Sequence, residues 1–198
     1  MKKICTLLMG VSLLCSSFKM EDEEGLARVS KIQGIEIYML SEPVRDYEVI
    51  SDVNNGINAS SAVTGGMVNE SIADKASKFV RRAMKENSRI DAVIYSSGKR
   101  VVGIRFKDTP TPSTKGIGRV KKINGLDTYI LAEPLQDYEV LTSKGGGIKW
   151  KSYVTGGLIN NSIEEDIERM VKKIQGNGTS VDGVIYSAGK SASGFRYR

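Results

Sequence analysis

The chain has 198 residues, an apolar fraction of 40% and a formal charge of +6 at neutral pH. That length permits one ordinary domain or two small ones, and the apolar fraction excludes general disorder because it suffices for a packed core. The moderate positive charge predicts a mildly basic surface and does not favour nucleic acid as the partner.

The first residues have the pattern of a secretory signal. Lys2 and Lys3 precede an uncharged apolar run of 11 residues, 4–14. This order predicts a signal sequence over residues 1–17, followed by an acidic tether over residues 18–24. The run is too short to cross a bilayer as a helix, which takes roughly 20 residues. We therefore expect an exported bacterial protein in the periplasm or at the outer membrane and cell surface.

Two processing routes compete for this segment. A general signal peptidase would cut after Ser17, with the small residues Cys15 and Ser17 at its recognition positions. Alternatively, Cys15 becomes the lipidated first residue, since residues 12–15 resemble a lipobox in which Leu14 replaces the usual small residue. The acyl chains of a lipidated Cys15 would be the only membrane attachment that the sequence predicts.

The side chains that the mature chain lacks exclude several chemistries. Both cysteines, Cys5 and Cys15, lie in the signal segment, and the chain contains no histidine. The mature protein then has no disulfide, no catalytic thiolate or imidazole, and no metal site built from nitrogen or sulfur ligands. We expect no cofactor and no metal.

Most of the chain is one unit duplicated in tandem. A shift of 91 positions aligns residues 25–107 (repeat 1) with residues 116–198 (repeat 2), without gaps and with 34 identities in 83 pairs. Residues 108–115 contain two prolines among threonine and serine, which predicts an extended linker. Two copies are too few for a solenoid, so each repeat is either a small domain or half of one pseudo-symmetric domain.

Strands begin and end each repeat. In repeat 1, residues 35–40 and 47–53 are predicted strands, and Glu42-Pro43 between them cannot continue a central ladder. A turn leads to a third strand, residues 57–63 in repeat 1 and 148–154 in repeat 2. Residues 91–96 and 101–107 are predicted closing strands.

A capped helix lies between the third strand and the closing strands. Ser71 with Asp74, and Ser162 with Glu165, fit capping boxes, and apolar residues at helical spacing follow both serines. Each repeat thus reads roughly βββαββ. The predicted class is α+β, with two tandem copies of a small antiparallel sheet that carries one helix on a face.

The repeated Thr-Gly-Gly turn is a candidate anion site. Glycine-rich turns before a helix N-terminus can present backbone N–H groups to a phosphate, sulfate or carboxylate. The competing interpretation is an ordinary strand-to-helix turn with a good cap. The candidate anion-binding residues are Thr64, Gly65, Gly66 and Ser71 in repeat 1, and Thr155, Gly156, Gly157 and Ser162 in repeat 2.

Aromatic and acidic side chains supply the remaining candidates. Trp150 and Tyr153 stand where repeat 1 has alanine, so they mark either a ligand surface or the contact between repeats, and we favour the contact. The recurring tyrosines indicate shared core: Tyr38, Tyr47 and Tyr95, matched by Tyr129, Tyr138 and Tyr186. Recurring carboxylates suit capping and solvation of turns, with acid–base chemistry or calcium binding by a pair of them as the alternative: Glu42, Asp46, Glu48 and Asp91, matched by Glu133, Asp137, Glu139 and Asp182.

These motifs resemble those of two groups of proteins. The run from Gly-x-x-x-Tyr-x-Leu-x-Glu-Pro through Asp-Tyr-Glu-Val to Asp-x-Val-Ile-Tyr-Ser resembles small exported proteins of Bacteroidetes without a known function. More distantly, Tyr47-Glu48-Val49 and residues 91–94 are similar to strands of the YbjQ-like family, which is described as heavy-metal-binding. This second resemblance implies a fold only, because the mature chain has no histidine or cysteine.

The predicted function is an exported, non-enzymatic binding or interaction protein of the cell envelope. Its partner would be an envelope protein, a glycan or an anionic ligand. The alternative is a carboxylate-dependent hydrolase or transferase with a site near the Thr-Gly-Gly turns. That alternative requires Glu42, Asp46 or Asp91 to converge with Thr64 in a cleft.

Overall fold

The computed structural model describes residues 25–54, 71–96, 100–109, 111, 114–144, 163–187 and 191–198. Repeat 1 contains β1 (Leu26–Val29), β2 (Lys31–Ile32), β3 (Ile35–Met39), β4 (Ser41–Pro43), β5 (Tyr47–Asn54), α1 (Ile72–Glu86), β6 (Ala92–Tyr95) and β7 (Arg100–Phe106). Repeat 2 contains β8 (Ile117–Val120), β9 (Lys122–Ile123), β10 (Leu126–Ile130), β11 (Ala132–Pro134), β12 (Tyr138–Lys144), α2 (Ile163–Gln175), β13 (Gly183–Tyr186) and β14 (Ala192–Tyr197). The α+β class is confirmed, and the predicted third strands lie outside the described residues.

Among the described residues, each repeat forms its own five-stranded sheet. The strand orders are β2-β3-β6-β7-β5 and β9-β10-β13-β14-β12. The pairs are antiparallel except β3 with β6 and β10 with β13, which are parallel. A parallel pair needs a long crossover connection, and in each repeat the chain between the two parallel strands includes the helix.

The third sheet contains strands of both repeats, in the order β11-β1-β8-β4. Strand β1 of repeat 1 lies between β11 and β8 of repeat 2, and β8 lies in turn between β1 and β4. Glu42-Pro43, predicted only as a break between strands, forms most of edge strand β4, where a proline is tolerated. Each repeat therefore contributes its first strand to a sheet that the other repeat completes.

Two buried leucines turn the chain from one sheet into the next. Leu40 and Leu131 occupy equivalent positions and have left-handed backbones, with φ of 49° and 51°. Leu40 donates its N–H to Tyr95 of its own repeat and accepts from the N–H of Lys121 in repeat 2. The unusual conformation, which costs a leucine of the order of 1 kcal/mol, is stabilised by bonds on both sides of the turn.

The helices cover equivalent faces of their sheets. The capping box at the start of α1 is confirmed: Ser71 Oγ accepts from the Asp74 N–H at 3.1 Å, and Asp74 Oδ2 accepts from the Ser71 N–H at 3.0 Å. The apolar stripe of α1 is buried at Ile72, Ala76, Phe79, Val80 and Ala83, and that of α2 at Ile163, Ile167, Met170, Val171 and Ile174. Neither helix of the described residues is long and apolar enough to span a membrane.

Both hydrophobic clusters of the core draw on both repeats. One contains the buried residues of the two helices together with Tyr95 and Tyr186. The other contains Tyr38 and Tyr129 together with residues of the sheet shared by the repeats. The prediction that the recurring tyrosines belong to a shared core is confirmed for these four, whereas Tyr47 and Tyr138 are half-buried.

Candidate functional site

A buried carboxylate, Glu36, lies near the start of strand β3 in repeat 1. Glu36 is 4% exposed although it carries a charge. Side chains two apart in a strand share a face, and Tyr38 donates its hydroxyl to Glu36 Oε2 at 2.8 Å. Lys31 is directly opposite Glu36 in β2, and its Nζ lies 3.5 Å from Oε1. The pleat and the register of two neighbouring strands thus supply this carboxylate with a donor and a countercharge.

The phenol of Tyr38 is held in its neutral form. Burial raises the pKa of Tyr38 well above its ordinary value, and the charge of Glu36 and the hydrogen bond to it raise the pKa further. The hydroxyl therefore remains protonated and continues to donate to Glu36, which keeps the carboxylate in one orientation.

Arg45 is a second buried charged side chain of repeat 1. The side chain of Arg45 is 4% exposed, and its Nε lies 3.3 Å from Asp108 Oδ1. Its Nη2 donates to the Asp108 carbonyl at 2.8 Å, and its guanidinium carbon stands 3.7 Å from the ring centroid of Phe106. The aromatic face and the carboxylate of the linker fix this cation, as arginine stacking and pairing commonly do.

An open cleft of about 470 Å³, which we name the Glu36 cleft, is lined by Glu36 and Arg45 and by their partners Lys31, Phe106 and Asp108. Its lining includes Asp91, immediately before β6, and three residues of the linker, Asp108, Thr109 and Lys115. The charged lining residues are Lys31, Glu36, Arg45, Asp91, Asp108 and Lys115. The arrangement offers both donors and acceptors to a polar ligand, and three cations balance three carboxylates.

Repeat 2 has a counterpart of the buried carboxylate with different partners. Asp127 occupies the position of Glu36 and is 1% exposed. Tyr197 stands at the position of Phe106 and donates its hydroxyl to Asp127 Oδ2 at 2.9 Å. The hydroxyls of Tyr129 and Tyr197 are 2.6 Å apart, so Tyr129 donates to Tyr197 in a chain that ends at the carboxylate. Burial, with the hydrogen bond to Tyr129 next in effect, raises the pKa of Tyr197 far above its ordinary value.

The second carboxylate oxygen of Asp127, Oδ1, is buried and has no hydrogen-bond donor among the described residues. Lys122 Nζ lies 3.4 Å away, which supplies charge attraction without the geometry of a hydrogen bond. Gln136 stands where repeat 1 has Arg45, and it donates instead to the carbonyl of Arg198 at 3.3 Å. The two equivalent sites have therefore diverged in the residues around a common buried acid.

Of the predicted anion-binding residues, only Ser71 lies within the described structure. Its side chain and N–H are both engaged in the capping box with Asp74. The following predicted residues lie outside the residues that the structure describes: Cys15, Thr64, Gly65, Gly66, Trp150, Tyr153, Thr155, Gly156, Gly157 and Ser162. The Thr-Gly-Gly anion site and the aromatic surface therefore stay predictions.

The recurring carboxylates do not converge on one place. Glu42 and Glu133 are exposed in the shared sheet, with Arg119 and Arg28 directly opposite. Glu48 bonds Arg105, and Glu139 lies 3.6 Å from Arg198. Asp91 lines the cleft, and its Oδ2 also accepts the N–H of Phe106 at 2.9 Å. Asp182 makes the same bond to Tyr197 in repeat 2.

The residues that build the Glu36 cleft were not predicted as a site. A signal was present, because Glu36 interrupts an otherwise apolar strand and an acid recurs at Asp127 in the other repeat. The role of Arg45 carries no such signal, since its partner Asp108 lies in the linker and has no counterpart in repeat 2. Among the described residues, no group of three or more acidic side chains could hold a metal ion.

Comparison with protein-family models, with curated proteins and with solved structures finds no match to this chain. The resemblances to exported Bacteroidetes proteins and to the YbjQ-like family stay predictions. The function must be argued from the geometry of the cleft.

Proposed function

We propose that this chain is an exported, non-enzymatic binding protein of the cell envelope, and that its ligand is a neutral, hydroxyl-rich glycan held in the Glu36 cleft. The observation that carries the proposal is the pair of buried charged side chains, Glu36 and Arg45, that line the cleft. Glu36 is oriented by Tyr38, and Arg45 by Phe106 and Asp108. Preoriented polar groups lower the conformational entropy that the side chains of the site lose when a ligand binds.

The charge balance of the cleft favours a neutral ligand. Lys31 already lies 3.5 Å from Glu36, and Arg45 lies 3.3 Å from Asp108. A charged ligand would find no excess of the opposite charge in the lining. A hydroxyl, in contrast, can donate to a carboxylate and accept from an ammonium or guanidinium group at the same time.

The size and exposure of the cleft suit part of an oligosaccharide. Its volume of about 470 Å³ lies within the range of small-molecule sites. Asp91 and Lys115 are exposed at its rim, so they can meet a ligand without rearrangement of the core.

The test is binding of the mature chain, residues 18–198, to an array of bacterial and host glycans, followed by calorimetry with the glycans that are retained. Asp91→Asn should weaken binding at least about tenfold, as expected for the loss of one charge-assisted hydrogen bond. Asp182→Asn is the matched control, because Asp182 makes the same bond to the backbone but lies outside the cleft lining. Retention of charged glycans only, or equal losses in the two variants, would contradict the proposal.

The hydrolase or transferase alternative has less support. Of its three acidic candidates, Asp91 lines the cleft, whereas Glu42 faces Arg119 in the shared sheet. Thr64 lies outside the described residues. Turnover of a bound glycan that is lost in Asp91→Asn and kept in Asp182→Asn would favour this alternative over simple binding.

A further inference from the structure

Helix α1 carries a concentration of positive charge. It contains the cations Lys75, Lys78, Arg81, Arg82 and Lys85 against the carboxylates Asp74 and Glu86, so its net charge is 5 − 2 = +3. No acidic residue lies between Asp74 and Glu86. We name these five cations the basic face of α1.

The basic face points away from the protein core. With 3.6 residues per turn, its five residues lie within an arc of about 120° on the side opposite the buried stripe. Lys78, Arg81 and Lys85 are exposed, and Lys75 and Arg82 are half-buried. The cations therefore form one continuous surface.

Helix α2 shows that this charge is not required by the fold. The positions of the five cations hold Asp166, Arg169, Lys172, Lys173 and Gly176 in repeat 2. Helix α2 has three cations against Glu164, Glu165, Asp166 and Glu168, so its net charge is 3 − 4 = −1. Both helices bury the same stripe, so the basic face belongs to repeat 1 alone.

Three cations of the basic face, Arg81, Arg82 and Lys85, form no ion pair within the described structure. Arg169 on α2 is paired with Asp166 on the same helix. Three like charges within about one turn of a helix repel one another unless anions approach them.

We propose that the basic face of α1 docks the protein on an anionic lipid surface. Charge complementarity selects an anionic partner, and in the exported protein proposed above lipid headgroups are within reach. The inference rests on that proposed export and does not depend on the ligand of the Glu36 cleft.

The burial of the apolar side of α1 determines how the protein would attach to a membrane. The apolar side of α1 is buried against the sheet, with Ala76, Val80 and Ala83 fully covered. The helix cannot insert an apolar face into the bilayer as an amphipathic anchor does. Attachment is then electrostatic, reversible and weakened by salt, because exposed charges are screened over about 10 Å at 0.1 M ionic strength.

The test is co-sedimentation of the mature chain, residues 18–198, with vesicles of phosphatidylglycerol and phosphatidylcholine and with vesicles of phosphatidylcholine alone. Each basic residue near an anionic surface contributes about fivefold to partitioning. The double variant Arg81→Gln/Arg82→Gln should therefore bind the anionic vesicles about 30-fold less tightly. The matched control is Lys172→Gln/Lys173→Gln, which removes the equivalent charges from α2 and should change binding less than about threefold.

Three outcomes would overturn the inference. They are absence of binding to anionic vesicles at low salt, equal losses in the two double variants, and tighter binding of double-stranded DNA than of the vesicles. Thermal unfolding of both variants checks that the fold is kept. Glycan binding is measured in a separate experiment. A negative result with lipid vesicles would therefore not bear on the proposal that the Glu36 cleft binds a glycan.

Discussion

Ala27 and Gly118 lie directly opposite each other in strands β1 and β8, and they are the same position of the two repeats. Their neighbours follow the same symmetry, since Leu26 pairs with Arg119 and Arg28 pairs with Ile117. A local twofold axis therefore passes between Ala27 and Gly118. The first strand of each repeat meets its own copy there, and the outer edge of each meets the Glu-Pro strand of the other repeat.

This interlocking predicts that the two repeats stay together when the linker is cut. Every strand pair of the shared sheet joins one repeat to the other, and both core clusters contain residues of both. We expect a chain cleaved at a protease site in place of residues 110–113 to elute as one species in gel filtration. It should separate into two pieces only in denaturant. Separation under native conditions would contradict this arrangement.

Of the two residues beside this axis, Ala27 carries a methyl group, but there is no room for one at Gly118. A Cβ on Gly118 would lie 2.8 Å from Tyr38 Cε1 and 3.1 Å from the carbonyl oxygen of Glu42. Tyr38 is fully buried and bonded to Glu36, so it cannot move away freely. We expect Gly118→Ala to lower the free energy of unfolding by about 1–3 kcal/mol.

The control for that variant is Ala27→Gly, which adds no atoms and should cost no more than about 1 kcal/mol. Urea denaturation measures both. Equal stability of Gly118→Ala and the parent chain would show that the ring of Tyr38 shifts.

The sequence predicted the elements of each repeat better than the way in which the repeats combine. The helix start at Ser71 depends on four neighbouring residues, and a local pattern predicts it. Strand β1 has four residues and both of its partners in repeat 2, so no local pattern reveals it. The parallel pairing of β3 with β6 likewise depends on residues more than 50 positions apart.

The Glu36 cleft was not predicted either, because its residues are also far apart along the chain. Arg45 and Asp108 are in contact although they are 63 positions apart in the sequence. The composition of the linker that contains Asp108 predicts only an extended spacer. The acid at Glu36 and Asp127 could have been found, because a carboxylate within an apolar strand must be partnered when it is buried.

A pair of compensating residues distinguishes the two sheets. Gly183 and Phe195 of repeat 2 stand where repeat 1 has Ala92 and Ile104, and they are paired across β13 and β14. A Cβ on Gly183 would lie 2.6 Å from Phe195 Cε1 and 2.7 Å from the carbonyl oxygen of Asp127. We expect Gly183→Ala to destabilise the protein by about 2–3 kcal/mol.

Combining Gly183→Ala with Phe195→Ile recreates the pair found in repeat 1. The double variant should be more stable than the sum of the two single changes predicts, by about 1 kcal/mol or more. A double-mutant cycle in urea measures this coupling. Strict additivity would show that the backbone of Asp127, and not the ring, limits position 183.

The buried tyrosines predict a loss of stability in alkali. Burial, with the nearby Glu164 next in effect, raises the pKa of Tyr95 to about 12, and the pKa values of Tyr38 and Tyr197 are raised as well. Above about pH 10 these phenols ionise in the unfolded chain but not in the native one. The unfolded state then binds fewer protons, so the free energy of unfolding falls as the pH rises. Tyr95 alone contributes about 3 kcal/mol, which is present below pH 10 and lost as the pH approaches 12.

Urea denaturation between about pH 8 and pH 12, with phenolate absorbance followed in parallel, tests this prediction. Tyr95→Phe should reduce the slope of stability against pH, because the phenyl ring fills the same space without an ionisable hydroxyl. Lysine ionisation is common to both proteins and does not affect the comparison. Equal slopes for the two proteins would contradict the prediction, because the hydroxyl of Tyr95 would then ionise in the native state as readily as in the unfolded chain. Water would then reach this hydroxyl beside the start of α2 more easily than the 2% exposure of Tyr95 indicates.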